Sequence, residues 1–66
     1  MKKFKPVQIW VIYTDQFAND IFIAENMLIT SDINAALKFD ERDNKKDKIE
    51  YWSLITGYSL KAIDLL

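Results

Sequence analysis

The sequence predicts a small α+β domain: a four-stranded antiparallel sheet with one helix packed on one face, in the order β-β-α-β-β. Three observations carry that expectation. Val7 to Thr14 is largely apolar on both alternating faces. Thr30-Ser31-Asp32 has the composition of a helix start. Thr56-Gly57 stands between two apolar runs, where a two-residue hairpin turn belongs.

In chain order, Met1 to Pro6 is a basic lead-in to a single domain spanning residues 1–66. Pro6 keeps Lys5 extended and suits the approach to a strand. In the first strand, Val7 to Thr14, one face carries Val7, Ile9, Val11 and Tyr13, the other Gln8, Trp10, Ile12 and Thr14. A strand apolar on both sides belongs in the middle of a sheet. Asp15 to Asp20 is a turn, because Asp and Asn side chains bond nearby backbone groups and tolerate left-handed conformations. Ile21 to about Glu25 then returns antiparallel, with an extension toward Ile29 left open.

Ser31 suits an N-cap, and Asp32 suits the positive end of a helix dipole. The helix is expected from Asp32 to about Asn44. Its apolar residues Ile33, Ala36, Leu37 and Phe39 fall within an arc of roughly 160° facing the sheet, and Asn44 suits a left-handed end. Lys48 to Ile55 reads as strand three and Tyr58 to Leu65 as strand four, joined by a turn in which Gly57 takes positive φ.

That turn sets a register in which Ile55 opposes Tyr58, Ser53 opposes Leu60, Tyr51 opposes Ala62 and Ile49 opposes Asp64. Ile49, Tyr51, Ile55, Tyr58, Leu60 and Ala62 then form the core face under the helix. The opposite face carries Glu50, Trp52, Leu54, Ser59, Lys61, Ile63 and Leu65, extended by Trp10 and Ile12 from strand one. One helix cannot cover both sides of such a sheet, and a large exposed apolar patch marks an interaction site. Trp52, Leu54, Lys61, Ile63, Glu50 and Trp10 are therefore the expected partner contacts.

Composition narrows the function classes. Sixty-six residues bury only about 60% of the surface of the unfolded chain. With no Cys and no His, disulfides, zinc fingers, thiol nucleophiles and the commonest general base drop out. Half the residues are hydrophobic and 14% aromatic, a core-forming composition. A net charge of −1 argues against a dedicated nucleic-acid binder. Lys2, Lys3 and Lys5 around Phe4 read as a solvated terminus. The longest apolar run, Ile9 to Tyr13, is far short of the roughly 20 residues that span a bilayer. No signal-peptide core follows Met1-Lys2-Lys3. A cytoplasmic protein with no membrane contact is expected.

The acids between Asp40 and Glu50 lack the alternating oxygen ligands and central Gly of a calcium loop, since Lys45 stands where a ligand would fall. No metal and no cofactor is expected. Asp40 and Glu41, adjacent on the expected helix, do not face each other, and nothing supplies a nucleophile or phosphate loop. The chain is expected not to be an enzyme. Asp40, Glu41, Asp43 and Asp47 are candidate electrostatic contacts that steer a partner, diluted by Arg42, Lys45, Lys46 and Lys48.

The stretches Ala36–Asn44 (Ala-Leu-Lys-Phe-Asp-Glu-Arg-Asp-Asn) and Lys48–Ile55 (Lys-Ile-Glu-Tyr-Trp-Ser-Leu-Ile) carry a resemblance in style, size and composition. The chain resembles small accessory proteins of phages and mobile elements, among them anti-CRISPR proteins built from a short antiparallel sheet and one helix. The resemblance implies a protein that blocks a host defence or regulatory complex by surface binding, and it transfers no residue role. Two alternatives stand beside that reading: a self-associating homodimer, and a small nucleic-acid-binding regulator.

Overall fold

The computed structural model describes residues 8–25 and 28–65. The expectations for the lead-in, Met1 to Pro6, and for a strand start at Val7 lie outside the described residues. The elements are β1 (Ile9–Thr14), β2 (Ile21–Ala24), β3 (Leu28–Thr30), a 3₁₀ turn (Ile33–Ala35), β4 (Phe39–Asp40), α1 (Lys45–Thr56) and β5 (Lys61–Asp64). The class is α+β as expected: one helix and an antiparallel sheet.

Strand β1 is central because both of its faces are apolar and both of its edges are paired. Along one edge β5 runs antiparallel, with Val11 opposite Ile63 and Ile12 opposite Ala62. Along the other edge, β2 pairs at Tyr13 and Thr14 while the two-residue β4 pairs at Ile9 and Trp10. β3 continues the sheet beyond β2. Asp15 to Asp20 forms the connection between β1 and β2, as its composition predicts.

The helix lies elsewhere in the chain than the sequence suggests. The expected helix from Asp32 to Asn44 is one 3₁₀ turn followed by extended chain. The cap is Asp32, not the expected Ser31, and what it caps is that turn, through Oδ1 accepting from the Asn34 N–H at 2.9 Å. Beyond Ala36 the chain alternates: Ala36 packs with Val11 and Phe22, whereas Leu37 and Phe39 pack on the other side with Trp10 and Ile12. Apolar residues two apart on one side are a strand period. The Leu37 N–H donates to the Ile23 carbonyl at 2.8 Å, which draws the segment onto the sheet.

The expected strand from Lys48 to Ile55 is helical, and the expected pairings across Thr56-Gly57 do not form. Asn44 begins α1 instead of ending a helix: its Oδ1 accepts from the Asp47 N–H at 3.0 Å. Asp47 also sits in the first turn, where an acid favours the helix dipole. Gly57 does take positive φ, at 76°, as the left-handed C-cap of α1, with its N–H donating to the Ser53 carbonyl at 2.8 Å. Ile49, Trp52, Ser53 and Thr56, all half-buried, share one side of α1 at positions i, i+3, i+4 and i+7. Tertiary packing on this stripe overrides the β preference of Tyr51, Trp52 and Ile55.

Asn44→Ala should therefore cost about 0.5–2 kcal/mol in urea unfolding. A variant as stable as the parent would point back to the hairpin, in which Asn44 caps nothing.

Two apolar layers result. On the α1 side, Trp10, Ile12, Ile23, Phe39 and Leu60 are buried, with Ile49, Trp52, Tyr58 and Ala62 packed against them. On the far side, Val11, Phe22 and Ala36 are buried, with Tyr13 and Leu65 against them. The expectation of one helix on one face of the sheet holds.

Candidate protein-binding face

Helix α1 carries a second apolar stripe, turned away from the sheet. Tyr51, Leu54 and Ile55 stand at i, i+3 and i+4 and fall within about 100° of each other around the axis. They are 57%, 80% and 45% exposed. The inward arc centred between Trp52 and Ser53 lies on the opposite side of the helix. The capped ends and the inward stripe hold the helix on the sheet, so the outward residues are free to meet another surface. The Tyr51 ring packs edge-on against Trp52, with centroids 5.3 Å apart, which ties the outward face to the core beneath it.

The six sequence-expected contacts do not form one face. Leu54 and Glu50 are exposed on α1. Trp52, expected at the surface of a strand, is half-buried on the sheet side of the helix. Ile63 is exposed on β5 but lies opposite Val11, on the side of the sheet away from α1. Lys61 shares that side and bonds Asp15 Oδ2 at 3.1 Å.

Trp10 cannot serve as a contact, because it is only 1% exposed. It stacks on Phe39 at 4.6 Å, and its indole N–H donates to the Asp40 carbonyl at 2.9 Å. The central strand needs a large side chain to fill the space under α1, and Trp10 fills it.

Sequence reasoning missed Tyr51 and Ile55, placing both in the core. Their spacing with Leu54 is the signal that finds them once the segment is read with a helical period.

The acidic residues divide by role. Asp40 and Asp43 build the turn that leads into α1. Asp43 Oδ2 accepts from the Asp40 N–H at 3.0 Å, and Asp40 pairs with Arg42 at 2.7 Å. The side-chain hydrogen bonds from Arg42, then the one from its backbone N–H, hold the Asp40 carboxyl below the usual aspartate range. The same pairing raises Arg42. Arg42 is 86% exposed, so solvent screens the pair and its stabilisation is small. That stabilisation is present at neutral pH and lost as pH falls through the depressed value. An NMR titration should place Asp40 below an ordinary aspartate, and Arg42→Ala should raise it. An Asp40 that titrates identically in both proteins would mean that the pair does not persist in solution. Glu41 and Asp47 are exposed.

Two recesses mark the surface of the described residues. A polar hollow of about 640 Å³ is lined by Gln8, Trp10 and the turn from Glu41 to Lys46. Two of its cations are already engaged, Arg42 with Asp40 and Lys45 with Asp64 at 3.1 Å. A shallower apolar groove of about 330 Å³ lies between Phe17, Ile21, Ile29 and Tyr58, where the Phe17 and Tyr58 rings meet edge-on at 5.2 Å. Among the described residues, no group of three or more acidic, His or Cys side chains is placed to hold a metal ion. No described helix is long and apolar enough to cross a membrane.

Fold and surface together define a small α+β domain with an antiparallel sheet and an outward apolar helix face. No family model matches the chain, and searches of curated proteins and of solved structures return no match.

Proposed function

We propose that the chain is a non-enzymatic protein-binding module that engages its partner through the outward face of α1. The observation that carries this reading is Leu54, a large aliphatic side chain 80% exposed in the last turn of a capped helix, with Tyr51 and Ile55 beside it. Anchors at i, i+3 and i+4 are the pattern by which a helix docks on an apolar protein surface. Tyrosine supplies large contact area with few rotatable bonds. The finer reading, a phage-encoded inhibitor of a host defence complex, rests on size and architecture alone and would use the same face.

The test is a pull-down from host lysate with the parent chain and with Leu54→Lys. A stoichiometric protein recovered by the parent and lost by the variant supports the proposal. Recovery of nucleic acid alone, or a protein partner indifferent to Leu54, counts against it.

A further inference from the structure

We draw no further inference here: the strongest candidate, the shallow apolar groove between the β1–β2 turn and Tyr58, lined by Phe17, Ile21 and Ile29, is an open surface, and nothing in the structure shows what covers it.

Discussion

Trp10→Ala is expected to leave most of the chain unfolded in native buffer, seen as loss of the cooperative urea transition and of near-ultraviolet circular dichroism. Trp10 is the largest fully buried side chain, and it touches the sheet, β4 and the start of the helix at once. Its ring stacks on Phe39, its N–H satisfies the Asp40 carbonyl, and Lys45 Nζ stands 5.7 Å from its ring centroid. Truncating a buried tryptophan costs about 3–5 kcal/mol. A core in a chain of this length supplies rarely more than about 3–5 kcal/mol in total. The loss therefore matches the whole stability of the domain. Trp52→Ala, on a half-buried residue, should cost clearly less. A Trp10→Ala protein that still melts cooperatively, within about 1 kcal/mol of the parent, would place Trp10 at the surface.

Leu54→Lys should do the opposite, abolishing partner capture while leaving the unfolding midpoint in place. Lysine forms helix nearly as well as leucine, and near the end of α1 its charge opposes the negative pole of the dipole. Little packing is lost from a residue that is mostly in solvent. The expected change in stability is within about 0.5 kcal/mol. At an interface the same change is severe, because it inserts a charge where an apolar anchor sat. Partner capture should fall at least about a hundredfold if Leu54 is the central anchor. A midpoint that drops sharply would mean that Leu54 packs inside. An unchanged midpoint with intact capture would mean that the partner binds elsewhere.

The contrast between the two tryptophans shows where sequence reading stopped. Both were legible as large aromatic residues in a chain too small to waste them. Whether Trp52 faced out depended on whether Lys48 to Ile55 is a strand or a helix. That stretch satisfies both periods. Ile49, Tyr51, Ser53 and Ile55 alternate as a strand would, while Ile49, Trp52, Ser53 and Thr56 align as a helix face would. The cap that favours the helix, Asn44 with Asp47 three residues on, was present in the sequence and was masked by the density of charge around it. Ile33 to Phe39 was ambiguous in the opposite sense: four apolar residues fit a helical arc, yet Leu37 and Phe39 also fit one side of a strand.

The sequence by itself determined β1, its turn and β2, because a two-sided apolar strand followed by Asp-Gln-Phe-Ala-Asn-Asp has one local solution. It also determined that Gly57 would adopt positive φ and that the class would be α+β. Only the tertiary structure decided which segment became the helix and which edge of β1 each later strand took. Those choices turn on contacts between residues far apart in the chain: Trp10 with Phe39, Ile12 with Ala62, Ile23 with Leu37. No local period encodes such energies, and they outweigh the small intrinsic preferences of a segment that could go either way.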